Sequence, residues 1–197
     1  MLTDRNGLQI PCICVTNRKL YSGDFYEKLK QIADKKEADA ILLREKDLTE
    51  EEYFEMAARV MRICSESGKE CILHTFYRAA LELKCKKVHL PLGVMGGISR
   101  EILESFSQIG SSVHSLEQLE EAVSLGAGYV IAGHVFETDC KKGMPGRGLD
   151  FVREISAASP IPVYGIGGID AENAAMVTDA GARGVCIMSG FMRDQIN

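Results

Sequence analysis

Residues 115–132, which read SLEQLEEAVSLGAGYVIA, contain one complete helix-and-strand unit. Ser115 is a favourable helix N-cap and Gly126 is a favourable residue just past a helix end, so a helix is expected to run up to Leu125. The run 129–132 that follows is short, apolar and partly β-branched, which is typical of a buried strand. The stretch therefore predicts a helix followed by a strand, the repeating unit of α/β folds.

Strand-like apolar runs recur along the whole chain. Eight of them are found, at 10–15, 40–43, 70–73, 87–90, 108–111, 129–132, 161–166 and 184–188. Between most of them lie segments whose apolar residues recur at helical spacing. This alternation leaves two architectures, a (β/α)8 TIM barrel and an open doubly wound sheet. The open dinucleotide-binding sheet is disfavoured because no G-x-G-x-x-G motif follows the first run. We therefore predict an α/β fold, a single TIM-barrel domain spanning residues 1–197.

The last helix of this barrel is expected to be short, because it can draw only on residues 190–197. A short helix would leave one side of the barrel thinly covered. A partner subunit could cover that side, so we expect a homo-oligomer, most simply a dimer.

Two further helix starts can be recognised from their capping residues. Thr49 and Glu52 form a capping-box pattern. Helical spacing predicts a buried face for the helix that they open, made of Phe54, Ala57, Ala58 and Met61. Asp170 is expected to cap a helix over 171–180.

Composition excludes several classes of protein. An apolar fraction of 46% and a charged fraction of 26% are ordinary for a globular domain. The net charge of −5, with its signs dispersed, argues against nucleic-acid binding. No window approaches eighteen apolar residues and the N-terminal segment lacks an apolar signal core, so we expect no membrane association and a cytoplasmic location. The seven cysteines include no C-x-x-C pair and are expected to be free thiols.

Two glycine-containing turns follow the last two predicted strands. Gly167 and Gly168 follow the seventh, and Ser189 and Gly190 follow the eighth. TIM barrels often bind phosphate at these two loops. Glycine lets backbone N–H groups approach an anion with no side chain between them, and Ser189 can add a hydroxyl donor. These four residues are predicted to bind phosphate.

The four histidines differ in their suitability for catalysis. His134 directly follows the sixth predicted strand and adjoins a polar loop, and imidazole can take and return a proton near neutral pH. It is the first candidate for an acid/base residue, and His74, at the end of the third strand, is a distant second. His89 lies inside a strand and is expected to be a satisfied interior residue. His114 lies before a helix cap, where a local hydrogen-bonding role is expected.

Cationic residues group at the predicted mouth of the barrel. Arg44 and Lys46 follow the second strand, and Lys141, Lys142 and Arg147 lie in the long loop after the sixth. Cations at the strand ends of a barrel indicate an anionic substrate. No metal site is expected, because the carboxylates at the mouth are interleaved with cations and form no compact ligand cluster. Those carboxylates are Glu45, Asp47, Glu137 and Asp139.

Over nearly its whole length the chain resembles the thiamin phosphate synthase superfamily. The matching segments are LREK at 43–46, GSSVHS at 110–115, GHVFETDCKK at 133–142, IGGI at 166–169 and MSG at 188–190. Segment 133–143, with GRG at 146–148, resembles the TenI branch, the thiazole tautomerases. The resemblance implies a (β/α)8 barrel, in agreement with the count of strands.

Several positions depart from the pattern of the synthases in this superfamily. Leu42 stands where the synthases have a glutamine, and Thr75 and Val94 stand where they have the two aspartates that hold magnesium against a pyrophosphate. Neither Thr75 nor Val94 can supply a carboxylate. His134 stands where the synthases commonly have proline. The phosphate-binding turns match.

These departures favour a thiazole tautomerase of thiamin biosynthesis, an isomerase that aromatises a thiazole phosphate carboxylate without a metal or any other cofactor. The resemblance implies that His134 is its general acid/base. Residues assigned to substrate binding lie in the matching segments and are Arg44, Lys46, Ser112, Thr138 and Lys141.

Two other functions stay open at this point. One is thiamin phosphate synthase, which couples a pyrimidine pyrophosphate to thiazole phosphate with magnesium. The other is a non-catalytic barrel that binds a phosphorylated ligand and regulates gene expression.

Overall fold

The computed structural model describes residues 2–138 and 143–193, and they form a closed parallel β-barrel. The strands follow chain order around the barrel, and closure comes from β1 (Cys12–Val15) pairing with β8 (Gly184–Ile187). The other strands are β2 (Ala40–Leu43), β3 (Glu70–His74), β4 (Lys87–His89), β5 (Gln108–Val113), β6 (Tyr129–Gly133) and β7 (Val163–Ile166). The predicted (β/α)8 barrel is confirmed, and the open sheet is excluded because β1 and β8 are paired.

Helices connect the strands and surround the barrel. Those within the described residues are α1 (Phe25–Ala33), α2 (Glu50–Glu66), α3 (Tyr77–Glu82), α4 (Leu92–Met95), α5 (Arg100–Glu104), α6 (Leu116–Ser124), α7 (Gly148–Ala158), α8 (Ala174–Asp179) and α9 (Ser189–Met192). A 3-10 turn, Arg18–Leu20, precedes α1. The last helix, α9, is as short as the sequence predicts. The homodimer stays a prediction, which light scattering can check.

The capping predictions are right for two helices and wrong for a third. Thr49 and Glu52 form a reciprocal capping box at α2, and Ser115 accepts a hydrogen bond from the N–H of Gln118 at the start of α6. Asp170 does not cap a helix over 171–180. Its carboxylate instead accepts hydrogen bonds from backbone N–H groups within a turn, and α8 begins later, after Asn173.

The buried face of α2 also differs from the prediction. Ala57 is buried as expected, but Phe54, Ala58 and Met61 are only partly buried. The fully buried residues of this helix are Tyr53, Ala57, Val60, Ile63 and Cys64. The apolar stripe of α2 is wide, so periodicity alone did not show which part of it faces the barrel.

The core has two layers, as expected when alternate side chains of each strand point to opposite faces. The inner layer fills the barrel and includes Leu42, Ile72, Tyr129 and Ile131. The outer layer lies between strands and helices and includes Cys14 and other alternate strand residues. Within the described ranges, no helix is both long and apolar enough to cross a membrane.

Candidate active site

A cavity of about 520 Å³ opens at the carboxyl ends of the strands. In TIM barrels this end carries the active site, because all parallel strands deliver their last residues there. Polar residues that line it are Asn17, Arg44, Lys46, His74, Ser112, His114, His134, Thr138 and Ser189. No carboxylate is found among the described residues of the lining.

One part of the lining, the glycine cluster, consists of Gly167, Gly168 and Ser189. Gly167 has φ +103° and Gly168 has φ +64°, backbone conformations that favour glycine. A Cβ at Gly168 would lie 2.8 Å from the Cβ of Phe136, and a Cβ at Gly167 would collide with His134. The close packing therefore requires glycine at both positions and leaves backbone groups exposed to a ligand.

Gly190 does not line this cavity. It lies with Ser189 beside a neighbouring groove of about 700 Å³, which also contacts Met144 and Arg193. Of the four residues predicted to bind phosphate, the fold thus brings three together at the cavity and places Gly190 beside them.

His134 is held in one orientation at the cavity. It is 4% exposed, and its Nε2 lies 3.2 Å from the carbonyl oxygen of Met144. A carbonyl only accepts hydrogen bonds, so Nε2 is the donor in this contact. Nδ1 is buried and has no hydrogen-bond partner among the residues that the structure describes. The peptide bond between Gly133 and His134 is cis.

Arg44 and Lys46 form the cation pair of the cavity. Both follow β2 and both line the cavity, while Glu45 between them is buried at 3% exposure. Burial, followed by the charge of Arg44, lowers the pKa of Lys46. The two cations are therefore close enough to repel each other, which favours an anion between them.

His74 is a neutral residue of the lining. Burial is the main cause that lowers its pKa to about 2, with contributions from His89, Arg44 and Lys46. Its Nδ1 lies 2.5 Å from the hydroxyl of Thr75. His74 therefore contributes hydrogen bonding to the cavity and no charge.

His89 connects the cavity to the barrel interior, a role that the sequence did not indicate. Its Nε2 lies 2.9 Å from the hydroxyl of Ser112, and its Nδ1 lies 3.2 Å from the hydroxyl of Tyr129. Burial lowers the pKa of His89 to about 3. As predicted, His89 is a satisfied interior residue. For His114 the predicted local role holds only for the backbone, whose N–H donates to Oε1 of Gln118 at 2.8 Å. Its ring lines the cavity, with Nδ1 2.7 Å from the carbonyl oxygen of Gly133, 19 positions along the chain.

The remaining predicted residues fall into two groups. Arg44, Lys46, Ser112 and Thr138 meet at the cavity, and their role in substrate binding stays a prediction, whereas Lys141 lies outside the described residues. Sequence reasoning missed Asn17, which follows β1 and lines the same cavity. The polar Thr-Asn-Arg segment at the end of the first apolar run was the available signal.

A magnesium ion of the kind that the synthases of this superfamily hold with two aspartates does not fit these residues. Thr75 uses its hydroxyl on His74, and Val94 has no polar side chain. Within the described residues, no group of three or more His, Cys, Asp or Glu side chains could hold a metal. The donor set at this end of the cavity is cationic and neutral, which is unsuited to a hard divalent cation.

The chain belongs to a known family. The family model for thiamine monophosphate synthase matches residues 12–191, which covers all eight strands. The synthases of this family are enzymes. Membership of an enzyme family agrees with the closed barrel and with the cavity at the carboxyl ends of its strands.

Individual relatives are thiamine-phosphate synthases. The one from Clostridium acetobutylicum is 32% identical over 183 residues, covering 92% of this chain and 86% of the relative. The one from Pyrococcus abyssi is 35% identical over 156 residues, covering 79% and 75%. A solved structure, the thiamine phosphate pyrophosphorylase of Pyrococcus furiosus, superposes with a TM-score of 0.80 at 28% identity and covers 95% of this chain and 89% of that one.

The prediction of a thiazole tautomerase is wrong, because the relatives that match the chain are synthases. That prediction treated the loss of two carboxylates as the loss of transferase chemistry. The cavity retains Arg44 and Lys46, however, and cationic side chains can neutralise an anionic group themselves. The missing carboxylates are thus a weaker argument than the match along the barrel.

Proposed function

We propose that this protein catalyses the thiamine-phosphate synthase reaction, coupling a pyrimidine diphosphate to a thiazole phosphate. One observation carries the proposal. The same cavity combines the glycine cluster, suited to a phosphate, with the cation pair Arg44 and Lys46, suited to a second anionic group. Two anionic substrates are what the coupling requires.

In the proposed reaction a carbon–nitrogen bond forms to the thiazole while the carbon–oxygen bond to the diphosphate breaks. The electron pair of the broken bond leaves on the diphosphate. Arg44 and Lys46 stabilise this developing charge, and the glycine cluster holds the phosphate of the thiazole. His74, which is neutral, and Ser112 line the space between and orient the substrates.

A direct test is the coupling assay with purified protein, a pyrimidine diphosphate and thiazole phosphate, with formation of thiamine phosphate as the readout. Arg44→Gln is expected to lower turnover by about 10²-fold, because it removes one stabilising charge. Arg100→Gln is the matched control, since the Arg100 side chain is 91% exposed and does not line the cavity. The absence of thiamine phosphate with the unmodified protein, at any magnesium concentration, would refute the proposal.

A second candidate is a barrel that binds a phosphorylated ligand without catalysis. Thr75 and Val94, at the positions that the resemblance assigns to magnesium-binding carboxylates, favour it. Titration calorimetry with thiazole phosphate distinguishes the two: binding without coupling supports the second candidate, and binding with coupling supports the first.

A further inference from the structure

Glu45 is a buried carboxylate between two cavity cations. Arg44 and Lys46 line the cavity, but Glu45 does not, and its side chain is 2% exposed. An ionised carboxylate is rarely buried unless it is paired and hydrogen-bonded. Its burial beside a ligand cavity therefore requires specific partners.

Those partners come from the loop after β1. Oε1 of Glu45 accepts hydrogen bonds from the Thr16 hydroxyl at 2.8 Å and from the Arg18 backbone N–H at 3.0 Å. Oε2 accepts a hydrogen bond from Nη1 of Arg18 at 3.0 Å. Glu45 thereby joins the end of β2 to the loop after β1.

A hydrogen-bonded chain leads from Glu45 back to the cation pair. The backbone N–H of Arg44 donates to the Thr16 hydroxyl at 2.9 Å, and the same hydroxyl donates to Glu45. Thr16 is fully buried. The hydroxyl thus joins the backbone of Arg44 to the side chain of Glu45.

Asp47 offers a contrast within the same ion-pair group. It binds the guanidinium of Arg18 through two hydrogen bonds of 2.7 and 2.8 Å, but its side chain is 40% exposed. Its hydrogen bond is the main cause that raises the pKa of Arg18. Exposed ion pairs contribute little to structure. The pair that Arg18 makes with the buried Glu45 is therefore the one that can hold the residues of the cavity in place.

We infer that Glu45, through Thr16, is a positioning residue that holds Arg44 and Lys46 in place to bind an anionic group. This role rests on the proposed function in one respect, namely that Arg44 and Lys46 bind an anionic group. It does not depend on which reaction the protein catalyses. It predicts that the buried hydroxyl and carboxylate affect the affinity for a ligand that neither of them touches.

The test is titration calorimetry with inorganic pyrophosphate, which probes the cation pair, and with inorganic phosphate, which probes the glycine cluster. Thr16→Val keeps the shape of the side chain and removes the hydroxyl. We expect it to weaken pyrophosphate binding by about tenfold or more, since a hydrogen bond to a charged group is lost. Thr16→Ser keeps the hydroxyl and should restore wild-type affinity, and phosphate affinity should change less than about twofold in both variants.

Glu45→Gln should weaken pyrophosphate binding like Thr16→Val, whereas Asp47→Asn should leave it within about twofold of wild type. If Glu45→Gln fails to fold, the Thr16→Val and Thr16→Ser pair decides the question. Wild-type pyrophosphate affinity in Thr16→Val, an equal loss of phosphate and pyrophosphate binding, or no pyrophosphate binding by the unmodified protein would each overturn the inference. A failed coupling assay with the expected pattern of affinities would refute the proposed reaction and leave the positioning role intact.

Discussion

The imidazole rings of His74 and His89 are stacked in the upper barrel, with their centroids 5.4 Å apart and their planes 23° apart. Two buried imidazole rings in this arrangement cannot both be protonated without a large cost in desolvation and in repulsion between like charges. Burial and mutual proximity lower the pKa of His74 to about 2, and burial lowers that of His89 to about 3. The pair therefore stays neutral in the folded protein at any pH near neutrality.

This pair makes the stability of the fold depend on pH. Below about pH 6.5 the unfolded chain binds protons at both histidines and the folded chain does not, so stability is lost as pH falls. The loss is about 1.4 kcal/mol per pH unit for each histidine. We expect the free energy of unfolding in urea to fall between pH 6.5 and 5, and His89→Asn to make that fall shallower. An unchanged slope in His89→Asn would contradict the prediction.

Gly167 should tolerate substitution less well than another glycine of similar conformation. Gly167 has φ +103° and a Cβ there would collide with His134, whereas Gly126 has φ +93° and a Cβ would have nothing within 4 Å. Gly126→Ala should cost about 1–3 kcal/mol of backbone strain. Gly167→Ala should cost more and should also weaken phosphate binding, because His134 must move. Equal unfolding free energies in the two variants would show that the contact with His134 does not matter.

The hydroxyl of Tyr53 joins α2 to two strands beneath the site. It donates to the carbonyl oxygen of Leu43 at 2.7 Å and accepts from the backbone N–H of His74 at 2.8 Å. Tyr53→Phe leaves both backbone groups buried without this partner, so we expect a loss of about 1–3 kcal/mol in urea unfolding. Tyr77→Phe, at a half-buried position, is the control and should have a smaller effect. A stability of Tyr53→Phe equal to that of the control would argue against this role.

The strand cysteines should be unreactive in the folded protein. Burial is the main cause that raises the pKa of the Cys12 thiol to about 12, and burial also raises the pKa of Cys14 and Cys186. The thiolate is the reactive form, so alkylation should be slow. Treatment with iodoacetamide at pH 8, followed by peptide mass spectrometry, should find these three cysteines unmodified without denaturant and modified in its presence. Rapid labelling of any of them in the native protein would mean that its strand opens.

The elements that local chemistry specifies were predicted well. Ser115 and Gly126 delimit a helix because a cap and a left-handed terminal residue act within one turn of chain. Prediction failed where a competing local bond or a choice of face intervened. Asp170 binds turn N–H groups, so it was not available as a cap. In α2, the more deeply buried stripe includes Tyr53, whose hydroxyl has partners on β2 and β3 that a helical pattern cannot show.

The candidate site could be predicted only in part. Residues that follow strands, such as Arg44, Lys46 and His134, were expected at the mouth because a parallel barrel collects its strand ends there. Glu45 was grouped with the other mouth carboxylates, since nothing in its immediate sequence distinguishes a buried carboxylate from a solvated one.

By itself, the sequence determined the alternation of helices and strands and, through it, which residues stand at the open end of a barrel. Tertiary structure alone decided which of those residues meet. Thr16 binds Glu45 across 29 positions of chain, and His89 reaches Ser112 across 23. Barrel closure brings such partners within hydrogen-bonding distance and excludes water from them. Burial then turns an ordinary carboxylate into an anchor for Arg44 and keeps the imidazole of His89 neutral.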